Sequence, residues 1–149
     1  RYPRGAQRAI PESIKPTFAD FDVFGDENAE KAIITYGRTF SACAFAYEKL
    51  VNSGESVKLI KLNRIIPVCE GAVEAAKNCK DVYFFEEGIR RGGAGEGFLF
   101  DLSKAGFSGK YHLRAIENGF VKQASVESLL HKYGFDEEGV LSFVASAEA

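Results

Sequence analysis

Methionine and tryptophan are absent from these 149 residues, and proline, cysteine and histidine are scarce at 4, 3 and 2. Each shortage excludes something. Cys43, Cys69 and Cys79 are odd in number and lack metal-ligand spacing, so neither a disulfide framework nor a zinc site is encoded. They fall on or beside helix faces of small apolar residues, the pattern of buried, reduced thiols in a cytoplasmic protein. No CxxC pair or adjacent histidine activates them for redox or nucleophilic work. Charge of one sign is also missing, since 19 basic and 21 acidic side chains leave a net −2. That balance provides no footprint for nucleic acid or an anionic membrane, and neither is expected as a partner. No apolar run approaches the about 20 residues of a membrane span, and no signal peptide is visible. The chain does not open on methionine, as expected of a processed product or of a piece of something longer.

What remains is an ordinary globular composition, with 46% hydrophobic and 27% charged residues, and a length suited to one domain. Residues 1–28 carry three of the prolines and read as a linker or arm. Phe21, Val23 and Phe24 add one short strand to the edge of the main sheet. Residues 29–149 form the domain proper. Ala32–Gly37 is a strand, and Thr39 is suited to cap the helix that follows. Phe40, Cys43, Ala44, Tyr47, Leu50 and Val51 recur at the spacing of one helix face, which Gly54 stops. Val57–Leu62 is a second strand, and the stretch from Cys69 to Asn78 is a helix burying Ala72, Val73 and Ala76.

The apolar run Val82–Phe85 is a strand covered on both faces. A glycine-rich turn through Gly92, Gly93, Gly95 and Gly97 follows it, and Phe98, Leu99 and Leu102 begin a helix reaching Ala105. Lys110–Ile116 alternates like a last strand near an edge. Ser125 caps a helix with Val126, Leu129, Leu130 and Tyr133 inward, and Gly134 ends it. Asp136, Glu137 and Glu138 place negative charge at the start of a final helix, where Val140, Phe143 and Val144 face inward. Strands alternating with helices on short loops predict parallel β-α-β units in a three-layer α/β/α sandwich.

The glycine loop is the first candidate site, because open α/β sheets keep ligands at the carboxyl ends of their strands. Its spacing is neither GxGxxG nor a P-loop. Arg90 and Arg91 precede it and could clamp an anion above Gly93 and Gly95 at the helix start. Glu86, Glu87 and Glu96 gather at the same place and oppose that reading. Close helix-to-sheet packing, or contact with another polypeptide, is the expected role. His112 and His131 stand alone on their elements and read as surface or structural residues, since a general base needs a partner in reach. Glu86 and Glu87 are adjacent on a strand and point to opposite faces, so they form no carboxylate pair. No catalytic constellation emerges. Arg1 and Arg4 flank Tyr-Pro, an arrangement equally suited to bidentate phosphate recognition and to a solvated terminal charge cluster.

Several segments together carry a family resemblance. They are Arg1-Tyr-Pro-Arg-Gly5, the Ala32–Gly37 strand with its helix, and Leu62-Asn-Arg-Ile-Ile-Pro67. Phe85-Glu-Glu-Gly with Gly92-Gly-Ala-Gly95 and Tyr133-Gly-Phe-Asp-Glu-Glu-Gly139 complete the set. In this order they resemble the C-terminal part of the 1-deoxy-D-xylulose-5-phosphate synthases, members of the transketolase-like, thiamine-diphosphate-dependent enzymes. The resemblance implies a five-stranded, mostly parallel sheet with one antiparallel edge strand, drawn from residues 20–25. It also implies a parent that condenses pyruvate with glyceraldehyde 3-phosphate, releasing carbon dioxide, for isoprenoid precursors. Thiamine diphosphate and Mg²⁺ would sit in preceding N-terminal and middle domains, so this chain would hold no cofactor or metal, and the parent would be a homodimer. Arg4 matches the family arginine at the substrate phosphate, with Arg1 a second candidate. Ile66-Pro-Val-Cys69 and Ile116-Glu-Asn-Gly119 depart from the family's pattern, as a diverged paralogue would. A free-standing phosphate-binding domain using residues 90–97 is the alternative.

Overall fold

The computed structural model describes residues 9–117 and 119–147. Five strands form one sheet: β1 (Phe21–Phe24), β2 (Lys31–Tyr36), β3 (Val57–Leu62), β4 (Asp81–Ile89) and β5 (Lys110–Ile116), in the spatial order β1-β3-β2-β4-β5. β1 runs antiparallel to β3, and the other pairs are parallel. The antiparallel edge strand at residues 21–24 and the parallel remainder agree with the expected fold class.

Successive side chains on a strand point to opposite faces, and here both faces are apolar. Ile33, Leu59, Tyr83 and Phe85 face α1 (Phe40–Asn52), α4 (Val126–Tyr133) and α5 (Glu137–Ser146). Ile34, Ile60, Phe84 and Val82 face α2 (Glu70–Ala76) and α3 (Ala94–Lys104). The sheet is therefore the middle of three layers. Phe84 and Phe85 are fully buried on opposite sides, each contributing about 1.5–3 kcal/mol of apolar burial. Cys43, Cys69 and Cys79 are buried free thiols in these layers. Burial pushes the Cys43 thiol up to about 12, against the hydrogen bond from Thr35, so it stays protonated.

Several local expectations are corrected. Thr39 stands at the N-cap position of α1, but its side chain makes no capping hydrogen bond. It lies in a 3-10 turn, Gly37–Thr39, where its hydroxyl donates to the Tyr36 carbonyl (2.9 Å) and meets the Thr35 hydroxyl at 2.7 Å. Val51 and Val126, expected inward, are exposed. Ser125 and Asp136 do cap their helices, accepting from the amides of Ser128 and Gly139. Gly134 closes α4 with φ +72°, a left-handed turn that glycine adopts without steric cost.

β4 is longer than its apolar run. It continues through Glu86, Glu87 and Gly88 to Ile89. Between Phe85 and Ile89 its partner β5 advances only from Arg114 to Ile116, so the extra residues form a bulge. Bulges re-aim side chains at strand ends. This one sits at the carboxyl edge of the sheet, where the glycine loop begins.

Candidate functional site at the carboxyl end of β4

Glu86 is the residue around which the loop is built. It follows four buried apolar residues and is itself fully buried. One carboxylate oxygen accepts a hydrogen bond from the Gly95 amide, at 2.7 Å, in the first turn of α3. A second carboxylate, that of Glu96, accepts from the Gly92 amide at 2.7 Å. One amide of those a helix N-terminus presents to an anion, that of Gly95, and the Gly92 amide just before the helix thus bind the chain's own acidic side chains. Gly95 packs so tightly that an added Cβ would stand 2.4 Å from Leu113 Cδ1, and the Tyr111 hydroxyl donates to its carbonyl at 2.7 Å. At Gly93 an added Cβ would stand 2.0 Å from Glu86 Oε1. The missing side chain there makes room for the carboxylate, not for a ligand.

Electrostatics follow from this enclosure. Burial raises the Glu86 carboxyl above its ordinary value. The Gly95 and Ala94 amides and Arg90 oppose that rise, while Glu96 reinforces it. Oε1 of Glu86 is buried without a hydrogen-bond partner, which also favours the protonated form. Tyr36, above the same bulge, is raised by burial and by the charges of Glu86 and Glu87.

Of the arginines that could clamp an anion here, Arg90 is engaged elsewhere. Arg90 Nε binds Glu117 at 2.7 Å, and its Nη2 donates to the Leu113 carbonyl at 2.9 Å, so it reaches across to β5. Arg91 is exposed on the turn. The structure does not bring Arg90, Arg91, Gly93 and Gly95 together as a phosphate cradle. The Glu86 carboxylate on the Gly95 amide and the Glu96 carboxylate on the Gly92 amide just before the helix oppose a diphosphate at this position. Among the described residues no group of three or more His, Cys, Asp or Glu side chains could hold a metal ion, and no helix is long and apolar enough to cross a membrane. Arg1 and Arg4 lie outside the described residues.

Both histidines have partners that their own elements do not reveal. His112 Nε2 meets Asp81 Oδ1 at 2.8 Å across the β4–β5 pair, and its ring stacks on Tyr83 at 4.7 Å. His131 Nδ1 meets Asp136 Oδ2 at 2.7 Å. The Asp136 hydrogen bond and charge raise His131. Burial pushes Asp136 up, but its hydrogen bonds from His131 and Gly139 outweigh that and hold it low. Neither histidine therefore stands alone, unlike the reading from their own elements. Sequence reasoning also missed Arg114, which lines a cleft beside β5 with Arg90 and Lys132. Its alternation on an edge strand carried no separate signal.

Related proteins agree with this architecture. A 1-deoxy-D-xylulose-5-phosphate synthase of Shouchella clausii is 25% identical over 149 residues, covering 98% of this chain and 24% of the synthase. Its counterpart from Geobacillus thermodenitrificans is 29% identical over 143 residues, covering 90% of this chain and 22% of that protein. The chain therefore spans about a quarter of the length of these relatives. Among solved structures, a split-gene transketolase described as an inactive β4 tetramer superposes with a TM-score of 0.75 at 19% identity, covering 93% of this chain and 46% of that one. A transketolase of Campylobacter jejuni gives 0.63 at 14% identity, covering 93% and 20%. Those two likenesses establish the fold. The model of the family described as transketolase, C-terminal domain, matches residues 25–140, and the chain belongs to that family.

Proposed function

We propose that the chain is the non-catalytic C-terminal module of a 1-deoxy-D-xylulose-5-phosphate synthase, supporting dimer assembly and walling one side of the active site. The observation that carries the proposal is extent: a likeness covering 98% of this chain takes up only 24% of a synthase. The remaining three quarters would supply the N-terminal and middle domains, with thiamine diphosphate and Mg²⁺, in the cytoplasm. When bound there, the cofactor would stabilise the carbanion formed from pyruvate. This chain's part is to present the carboxyl edge of its sheet to those domains, and through Arg4, with Arg1 a second candidate, to hold the phosphate of glyceraldehyde 3-phosphate. The filled cradle at Glu86 supports a packing role for the glycine loop and weighs against a free-standing phosphate-binding domain. The description of the split-gene β4 assembly as inactive is consistent with a module that needs its other domains.

The test is reconstitution. The 149 residues alone, given pyruvate, glyceraldehyde 3-phosphate, thiamine diphosphate and Mg²⁺, form no deoxyxylulose phosphate. The polypeptide encoded upstream of Arg1, joined to them, does. Turnover by the chain alone, or an upstream frame without thiamine-binding domains, overturns the proposal. In the joined protein Arg4→Ala raises KM for glyceraldehyde 3-phosphate by about tenfold or more, the loss of one charge-assisted hydrogen bond, and leaves KM for pyruvate near its original value. The departures at Ile66–Cys69 and Ile116–Gly119 favour one variant of this reading, a diverged transketolase-like paralogue. An assembled enzyme that binds the cofactor but makes a different product identifies it.

A further inference from the structure

Arg114 carries a guanidinium that the fold shelters but does not pair. Its Cζ lies 4.4 Å from the centre of the Phe143 ring. On the other side is the bare turn at Gly134, where an added Cβ would stand 2.9 Å from Nη1. Among the described residues the Nε hydrogen reaches no acceptor, and Nη1 donates only to the Tyr133 carbonyl at 3.5 Å, a long contact. A guanidinium has five donors and keeps its charge in proteins. Here most of those donors are unused, and no carboxylate among the described residues pairs with the charge.

A second arginine makes the arrangement less comfortable still. Burial and the neighbouring Arg90 both push Arg114 below the usual guanidinium value. Among the described residues, Arg90, Arg114 and Lys132 line one cleft of about 430 Å³ with Glu117 as its single acid. Three positive charges and one negative leave +2 on the lining. Tyr133, with Lys132 Nζ 5.5 Å from its ring centre, and Phe143 supply aromatic wall, and Phe120 stands fully exposed at the rim. A bare inorganic anion would use only part of this space, which falls within the about 300–1,000 Å³ of small-ligand sites.

We propose that this cleft binds a small phosphate ester with a ring or comparable apolar part. The phosphate lies on Arg114, within the field of Arg90 and Lys132, and the apolar part lies against the aromatic wall. The cleft shares Arg90 with the glycine-loop segment but is otherwise lined from β5 and the chain beyond it, and it does not depend on the parent reaction proposed above.

Titration calorimetry of the 149-residue chain with phenyl phosphate, inorganic phosphate and phenol tests this. Phenyl phosphate binds saturably at one site, several-fold more tightly than inorganic phosphate because of the aromatic contacts, and phenol does not bind in the same range. Arg114→Gln weakens phenyl phosphate by about tenfold or more, the loss of a charge-assisted contact. Since Arg114 also packs on Phe143, circular dichroism accompanies that variant. Lys132 is exposed, so Lys132→Gln keeps the fold and must weaken binding measurably. Absence of saturable binding at millimolar ligand overturns the proposal, as does binding unchanged by Lys132→Gln in the folded protein. Occupation by an acidic segment of the upstream polypeptide, with no affinity for phosphate esters, overturns it too.

Discussion

A single buried carboxyl group sets the character of the glycine loop, and its titration is measurable. The Glu86 carboxyl is raised in the folded chain, chiefly by burial, so the folded state holds that proton more tightly than the unfolded one. Its favourable contribution is complete below the unfolded value near 4.5 and is lost as pH rises through the raised folded value. Glu86→Gln keeps an acceptor for the Gly95 amide but cannot ionise. The difference in Tm between variant and parent therefore moves in the variant's favour from pH 4.5 to pH 7. A difference independent of pH would show that Glu86 ionises as it does unfolded. Glu86→Ala leaves the Gly95 amide buried without its acceptor and destabilises by about 1–3 kcal/mol, read by urea unfolding. The His131–Asp136 pair has a different window. His131 is raised, so its contribution is present below the unfolded value near 6.5 and lost as pH climbs through the folded one. Asp136 is lowered, so its contribution is present above 3.8 and lost as pH falls through the folded value. His131→Gln consequently lowers Tm at pH 5.5 and has little effect at pH 9. An equal loss at both values would mean that the ring matters by shape alone.

At the scale of elements, two glycines of one loop-helix unit serve opposite ends. At Gly93 an alanine Cβ would stand 2.4 Å from the Ile89 carbonyl oxygen as well as against Glu86, and backbone cannot swing aside. Gly93→Ala should cost about 1–3 kcal/mol, the usual range for overpacking. Gly97, three residues into α3, has open space where a Cβ would go. Gly97→Ala should therefore stabilise by about 0.5–1 kcal/mol through reduced backbone entropy. Both are read as shifts in urea midpoint, and similar shifts would mean that the loop is not packed as described. This unit also separates what was legible from what was not. Val57–Leu62 and Lys110–Ile116 could be bounded from their apolar patterns and flanking turns, because local pattern and tertiary environment agree there. The apolar run marks β4 only as far as Phe85, and nothing in Glu-Glu-Gly shows where the strand ends. Only the bulge against β5 and the amide of Gly95, nine residues on, explain a glutamate inside a strand. The partners of His112 and Arg114 were hidden for the same reason, since cross-strand neighbours and a helix corner are remote in sequence. Arg90 and Arg91 looked like clamps because adjacency to the loop is visible in sequence and direction is not.

For the whole molecule the open matter is where the folding unit begins. Residues 1–28 read as an arm, yet the described part of it is tied to both outer layers. Ile14 is buried in the core on the α1 side. Phe21 lies over α2 so closely that an added Cβ at Gly71 would stand 2.6 Å from its ring. Asp22 accepts from the Thr17 hydroxyl at 2.6 Å and from Asn63 Nδ2 at 3.0 Å. The amides of Asn63 and Arg64 donate to the Asp20 carbonyl, each at 2.9 Å. β1 also covers the outer edge of β3 from Leu59 to Leu62, an edge that would otherwise present unpaired backbone to other chains. Burial of Ile14 contributes about 1.5–3 kcal/mol and the half-buried Phe21 somewhat less, a substantial share of the about 5–15 kcal/mol that holds a domain together. The shortened chain 29–149 is therefore expected to aggregate or to lose its near-ultraviolet circular dichroism, whereas the full chain keeps both solubility and tertiary signal. A synthetic peptide of residues 9–28 added during refolding should restore the signal, because it supplies the missing strand and Ile14 in trans. Native-like unfolding of 29–149 on its own would show the opposite: an arm that rests on a complete domain.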